Sequence, residues 1–449
     1  MKDPVSDSTT LIIVNGTKPD THGFTPALAR VATVPAVLRI VLSAQSLKVN
    51  RTIFCVESLS APRIETVLRR TRRAPKSLEW YEYLENFDLG KLLREVGVSG
   101  KVIVVLGDRA YQPALLRKAT EWKGLDGAFC FSSDSELVGI YVLSLPIALK
   151  LANDENQRIG TLPALHEWAE DHTCVETEPV DGRAWQQISA SADLARAEAK
   201  LNQWLVKPTD GLFARTNRKV SIPISRWLLK WPITPNMVTL FTLWVSFGAG
   251  LFFAYGGYWA TLAGAVLSVW ASILDGCDGE VARLKLQVTD FGCWLETVCD
   301  YLYYVFIFGG MIVGFTRTMG PKFTLTWGPA LLFGAVASFL AVGYARQHFS
   351  ADRPEAFLSI WQGKAEQRKS NPLLYVGRHC EFIIRRCFLP YAFLFFALFN
   401  ILSFAFVVTA VGANIVWCIA LYSCFTLSRR RSSNRSVLNS ESQTSPATI

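Results

Sequence analysis

The chain changes texture once along its length. Over residues 10–204 short apolar runs alternate with segments of helical period, whereas from about Ile233 to Leu427 long apolar stretches are broken by short polar ones. In the first part Leu11–Val14, Thr52–Val56, Val102–Leu106, Ala128–Phe131 and Val138–Val142 read as strands. Pro35–Leu47, Pro62–Arg70 and Pro113–Trp122 read as helices, each opened by a proline, whose missing N–H costs nothing in a first turn. Strands alternating with helices predict a soluble α/β domain on a parallel or mixed sheet. No repeat of 20–50 residues interrupts this pattern.

The second part predicts an all-α polytopic membrane domain of six transmembrane helices, because runs of roughly 20 apolar residues match the hydrocarbon thickness of a bilayer. The spans are 234–254, 258–277, 292–315, 326–345, 387–404 and 407–427. Between the two parts, residues 206–232 interleave Arg and Lys with Leu, Ile and Trp. They read as an irregular stretch followed by an interfacial helix with Trp227 and Trp231 at headgroup depth. The expected division is thus 1–204 soluble, 205–232 juxtamembrane, 233–428 membrane, and a polar, disordered tail over 429–449.

Charge orients the spans. The segment between the fourth and fifth carries Arg346, Arg353, Lys364, Arg368, Lys369, Arg378, Arg385 and Arg386, against only Arg317 and Lys322 between the third and fourth. The positive-inside rule then puts both termini and the 2–3 loop in the cytosol. The N-terminus shows no signal-peptide pattern, which points the same way. A net charge of +9 suggests nucleic acid, but Arg215, Arg218, Lys219, Arg226 and Lys230, and later Arg429 to Arg431, lie beside the apolar spans. Anionic headgroups are the better partner. The 10 cysteines have no paired CxxC spacing and read as small packing residues rather than a zinc site or disulfide framework.

Candidate chemistry lies where the second span ends and the third begins. The sequence there runs Asp275-Gly-Cys-Asp278-Gly279-Glu-Val-Ala282-Arg283, then, after eight residues, Gly292-Cys-Trp-Leu-Glu296-Thr-Val-Cys-Asp300. Acids at a membrane border are costly unless paired or bound to a cation. Asp275 and Asp278 are three apart, Glu296 and Asp300 four apart, so each pair shares a helix face. The short connection makes the two helices antiparallel neighbours, and both pairs can meet at the cytosolic end. A carboxylate-only set selects hard cations such as Mg²⁺ or Mn²⁺. With Arg283 on the same face it suits a pyrophosphate bridged by metal. Gly279, Ala282 and Gly292 leave room for a flat base or sugar, although small residues also serve plain helix packing. A carboxylate-lined channel or transporter is the competing reading.

These residues resemble the CDP-alcohol phosphotransferase family, whose motif is D-x2-D-G-x2-A-R-x8-G-x3-D-x3-D. Asp275, Asp278, Gly279, Ala282, Arg283, Gly292 and Asp300 match at the family's spacing, and Glu296 stands where the third aspartate is expected. Thr234-Pro235-Asn236 also matches the opening of the first span. The resemblance implies two divalent ions, Mg²⁺ or Mn²⁺, held by Asp275, Asp278, Glu296 and Asp300. It implies Asp300 as the base, and Gly279, Ala282, Arg283 and Gly292 as contacts of the CDP moiety. The implied reaction moves a substituted phosphate from a CDP-alcohol to an acceptor hydroxyl and releases CMP, in phospholipid or polar headgroup synthesis. Members often form homodimers.

The soluble part resembles, more faintly, the sugar-nucleotide transferase fold that is fused to this membrane unit in members that make and then consume CDP-inositol. Val102 to Asp108 looks like its strand and metal-binding aspartate, and Val138–Leu143 and Ile188–Leu194 look like later landmarks. Two departures imply a degenerate domain. The loop from Val14 to Gly23 has only Gly16 and Gly23 to cradle phosphate, with Lys18 as its basic residue, and Ser189 stands near the expected second aspartate. The main expectation is therefore a membrane CDP-alcohol phosphotransferase. The alternatives are a bifunctional enzyme that also makes CDP-inositol from CTP and inositol phosphate, and a non-catalytic scaffold or transporter.

Overall fold

The computed structural model describes residues 8–15, 24–45, 47, 49–58, 60–70, 78–84, 87–133, 136–153, 167, 175–206, 210–349, 387–415, 417, 418 and 421, and the side chains of these except 69, 70, 339, 342, 343 and 345–349. Most of the Val14–Gly23 loop including Lys18, the basic 4–5 segment beyond Phe349, and the 429–449 tail fall outside the described residues. Two compact units emerge. The first comprises Met1–Pro208, Ile222–Ile233 and Gly279–Val288, and the second Thr209–Ser221, Thr234–Asp278 and Thr289–Ile449.

In chain order the α/β part holds β1 (Thr9–Asn15), β2 (Arg30–Val31), β3 (Val34–Pro35), α1 (Ala36–Gln45), β4 (Arg51–Glu57), α2 (Ala61–Arg70), β5 (Leu78–Tyr83), α3 (Leu89–Val96), β6 (Lys101–Leu106), β7 (Arg109–Tyr111), α4 (Pro113–Glu121), β8 (Ala128–Ser133), β9 (Glu136–Leu143), α5 (Leu145–Asn153), β10 (Val175–Pro179), β11 (Trp185–Gln187) and α6 (Ser191–Leu205). Seven strands form one mixed sheet in the order β10-β8-β9-β6-β1-β4-β5. β1 pairs in parallel with both β4 and β6, while β9 runs antiparallel to β6 and β8.

Every residue of β1 is buried because both sheet faces are covered. The period of two divides the core. Leu11, Ile13, Phe54, Val56, Ile103 and Val105 pack on one face, and Ile12, Val14, Ile53, Cys55, Val102 and Val104 on the other. The five expected strands and three expected helices of this part all form.

Helices α7 (Leu212–Leu228), α8 (Pro235–Tyr255), α9 (Tyr258–Lys285), α10 (Asp290–Met319), α11 (Pro321–Phe349), α12 (Leu389–Leu398) and α13 (Leu402–Ile415) follow. Among the described residues α8, α9 and α10 are long and apolar enough to cross a membrane, and α12 and α13 are shorter apolar helices. The sequence begins α8 with Thr234, whose hydroxyl accepts from the Met237 N–H, and Pro235 in the first turn. α8 and α10 approach through glycine. A Cβ on Gly250 would lie 2.6 Å from the Phe306 carbonyl oxygen, and one on Gly310 would run into the Gly250 carbonyl. Gly314, four residues on, abuts Phe253 in the same way, the small-xxx-small pattern of close membrane helix pairs.

Gly310→Ala should therefore force α8 and α10 apart. Overpacking of this kind costs about 1–3 kcal/mol. A lowered melting temperature of the detergent-purified chain is expected, and an unchanged one would refute this account of the helix contact.

Candidate active site

The acids sit on an antiparallel hairpin. α9 carries Asp275 and Asp278, and α10 carries Glu296 and Asp300. A hydroxyl–hydroxyl hydrogen bond of 2.7 Å between Ser268 and Tyr303 ties the two helices side by side. Counted from that bond at 1.5 Å per residue, Asp275 and Glu296 lie on one level, and all four acids fall within about 10 Å along the hairpin.

Their surroundings differ. Asp278 is only 3% exposed, and its carboxylate accepts the Thr239 hydroxyl of α8 at 2.7 Å. Asp275 and Asp300 are half-buried, and Glu296 is exposed. The α10 N-terminus is capped by Thr289, whose hydroxyl accepts from the Gly292 N–H at 3.0 Å. A Cβ on Gly292 would stand 3.3 Å from the Asn236 side-chain oxygen. The start of α8 thus meets both halves of the motif, Asp278 through Thr239 and Gly292 through Asn236. Helical spacing within the motif does not reach Thr239. Its signal was its place one helical turn after Asn236.

On the last turns of α9, Gly279 leaves its face open to the Arg283 guanidinium, which a Cβ there would meet at 3.5 Å. Ala282 and Arg283 are half-buried. Glu280, one of the variable positions of the motif, is fully buried and accepts the Ser225 hydroxyl at 2.6 Å, so it serves packing rather than the site.

The donor set of the hairpin fits a divalent cation, since it offers carboxylate oxygens and no nitrogen or sulfur. Cys277, between the aspartates, is buried with its Sγ on the Ser221 and Ile273 carbonyls. Among the described residues, no three His, Cys, Asp or Glu are gathered closely enough to hold a metal ion. Cys277 and Cys299 pack as expected of small apolar residues, whereas Cys293 and Cys418 are exposed.

In the α/β part Asp108 follows β6, 8% exposed, and burial pushes its carboxyl above the usual carboxylate range. Arg109 Nε lies 3.7 Å away, too far for a hydrogen bond but close enough to offset part of that burial. The Arg109 guanidinium also stacks 5.0 Å over the Trp185 ring. Ser189 donates its N–H to Asp193 at 3.0 Å and lines a cavity of about 310 Å³ with Ser133, Glu136, Trp185, Gln187 and Lys200.

Residues 232–365 match the family described as CDP-alcohol phosphatidyltransferase. The bifunctional IPC transferase and DIPP synthase of Aquifex aeolicus is 28% identical over 356 residues, which are 72% of this chain and 79% of the relative. The protein of the same description from Archaeoglobus fulgidus is 31% identical over 197 residues, 42% of this chain and 37% of that one. The crystal structure of Rv0371c from Mycobacterium tuberculosis H37Rv superimposes with a TM-score of 0.37 at 14% identity, covering 43% of this chain and 98% of that one.

Two outcomes follow from this geometry. Thr239→Val removes the hydroxyl donor from a buried carboxylate, a bond worth about 1.5–3 kcal/mol when one partner is charged. The denaturation midpoint should fall, and Thr239→Ser should restore it. For Asp108 the sign runs the other way. A folded-state value above the ordinary 3.8 means that the ionised group destabilises the fold above its folded pKa, and that the penalty vanishes below 3.8. Asp108→Asn should raise the urea midpoint at pH 7, with the gain fading as pH falls through the carboxylate range.

Proposed function

We infer, from a chain that carries a CDP-alcohol phosphatidyltransferase domain over residues 232–365 and is a transferase of that kind, that it moves a substituted phosphate from a CDP-alcohol to an acceptor alcohol and releases CMP. The observation that carries this is the antiparallel hairpin on which Asp275, Asp278, Glu296 and Asp300 share one short stretch of axis. The product belongs to phospholipid or polar headgroup synthesis.

Asp275, Asp278 and Glu296 would chiefly hold the two divalent ions, Mg²⁺ or Mn²⁺, and Asp300 would complete the set. When bound, such ions neutralise charge on the pyrophosphate and stabilise the departing phosphate. The chain's own residues do the rest. Gly279 and Gly292 admit the CDP moiety without a side chain in the way, beside Ala282. Arg283 presents a planar guanidinium to phosphate oxygens. Asp300 accepts the proton of the acceptor hydroxyl as its oxygen attacks the distal phosphorus. That bond forms as the bond to the CMP oxygen breaks in line, and CMP departs with the electron pair. Phosphoryl transfer of this kind needs positioning and charge more than covalent help.

The reading places six spans in the membrane, with both termini and the site in the cytosol, and a homodimer as its working assembly. Glu296 in place of an aspartate keeps the charge and lengthens the arm by one bond.

A second reading is favoured by Asp108. The α/β domain keeps a buried carboxylate at the end of β6, with no hydrogen-bond partner for Oδ1 among the described residues. That carboxylate would hold metal for the synthesis of CDP-inositol from CTP and inositol phosphate, making the chain bifunctional, as the name of the Aquifex aeolicus relative says of that protein.

Purified protein incubated with Mg²⁺ and a panel of CDP-alcohols and acceptors, CDP-inositol with inositol phosphate included, should release CMP, with products read by mass spectrometry. Asp300→Asn should lower the rate by about 10²–10⁴-fold, and Glu296→Asp should leave it measurable. Silence across the panel would overturn the transferase reading. CTP consumption with inositol phosphate, lost in Asp108→Ala, would establish the second activity.

A further inference from the structure

The last turn of α9, which carries Ala282 and Arg283, is held by contacts within the first unit that the motif does not explain. A helix leaves its final carbonyls without partners. Here the Gln287 N–H closes on the Ala282 carbonyl at 2.7 Å, and Leu286 takes a left-handed φ of 52° to allow it. That conformation suits glycine, so a leucine there is strained.

The Leu284 carbonyl is taken differently. Arg39, on α1, donates Nη2 to it at 2.6 Å while donating Nε and Nη2 to the Val31 carbonyl at 3.0 and 2.7 Å. Arg39 is 9% exposed, and burial draws its pKa down to about 10, which leaves it protonated at neutral pH. A buried cation held largely by carbonyls is an expensive way to fill space, and an apolar side chain would pack as well. What the cation supplies is direction. Its charge faces the negative end of the α9 dipole, and its planar fork fixes one carbonyl relative to another.

The other half of the fork is rigid too. Val31 closes the β2–β3 hairpin, whose turn residues Ala32 and Thr33 have φ of 46° and 71°, again without glycine. Val31, Ala32, Val281 and Leu284 are buried in one apolar cluster with Ile188, Leu201 and Leu229. Ser225 on Glu280 and Lys285 on the Ile233 carbonyl, at 2.6 Å, fix the same helix end from the juxtamembrane side.

We propose that Arg39 is a positioning residue for the pyrophosphate subsite: by gripping the Leu284 carbonyl it sets the turn that presents Arg283, so the α/β domain acts on the transfer reaction by holding the motif helix. This rests on the reading of Arg283 as a CDP contact. It gives the α/β domain a role that needs no nucleotidyl transfer of its own.

A double-mutant cycle on the full-length chain in detergent tests it, with binding of CDP in the presence of Mg²⁺ measured by calorimetry. Arg39→Gln should weaken CDP binding about tenfold, the scale on which a small misplacement of a binding group is felt. In an Arg283→Ala background the same change should add nothing, because the residue through which it acts is gone. Equal affinity for Arg39→Gln and wild type overturns the proposal. So does a loss in the Arg283→Ala background as large as in wild type, which marks a general structural effect. Should Arg39→Gln fail to fold, Arg39→Lys, which keeps the charge but not the fork, is run through the same cycle with the same two criteria. A wild-type chain that neither binds CDP nor releases CMP from any donor removes the transferase reading itself, and the proposal with it. Binding by the wild type with an indifferent Arg39 removes the proposal alone.

Discussion

Four carboxylates on one helical hairpin set the terms for the rest of this molecule. Like charges on the same short length of two adjacent helices repel one another, and burial of a carboxylate such as Asp278 raises the cost. The surrounding structure meets this constraint with donors and with rigidity. Thr239 donates its hydroxyl hydrogen bond to the most buried of the four, and Ser268 and Tyr303 pin the register of the hairpin. Gly250, Gly310 and Gly314 bring α8 against α10 backbone to backbone, which fixes the helix that supplies Thr239 relative to the one bearing Glu296 and Asp300. A tight glycine contact is a means of rigidity that suits a membrane, where the hydrophobic effect does not drive helices together.

How far the fold was legible follows from where each segment lies in it. β1, β4 and β6 are central, covered on both faces, and so spelled as unbroken apolar runs. β5 and β10 are the two edges of the sheet, and their sequences, LEWYEY and VETEP, place charges among the strand residues. Edges carry charge to discourage pairing with other chains, and that charge hides them from a search for apolar runs. β11 escaped for another reason. It is three residues long and paired to the equally short β7, so its existence depends on a distant partner.

The site divides the same way. Spacing alone put Asp275 with Asp278 and Glu296 with Asp300, because helical periodicity is a local property. Thr239 was hidden because a threonine near a helix start is ordinary, and only the three-dimensional meeting of α8 with α9 turns its hydroxyl toward Asp278. Arg39 was more deeply hidden. It lies 245 residues from the carbonyl it binds, in a helix that reads as core of the α/β domain. No periodicity relates such distant positions.

Asp108 and Arg39 together suggest how the α/β domain relates to the transfer chemistry. Each is a charged group that burial disfavours, the aspartate pushed up and the arginine pulled down. Selection for stability alone would remove both, since apolar replacements of similar volume are often neutral or stabilising. The two differ in what they face. Asp108 has Arg109 3.7 Å away, and among the described residues its Oδ1 has no hydrogen-bond partner. Arg39 has two carbonyls within 3.0 Å, one of them on the turn next to Arg283. A buried group with its bonds made is a structural device, whereas a buried carboxylate with an open oxygen is able to take a cation. On that distinction Arg39 works in the standing architecture of the motif helix, while Asp108 is what a nucleotidyl-transfer site would retain.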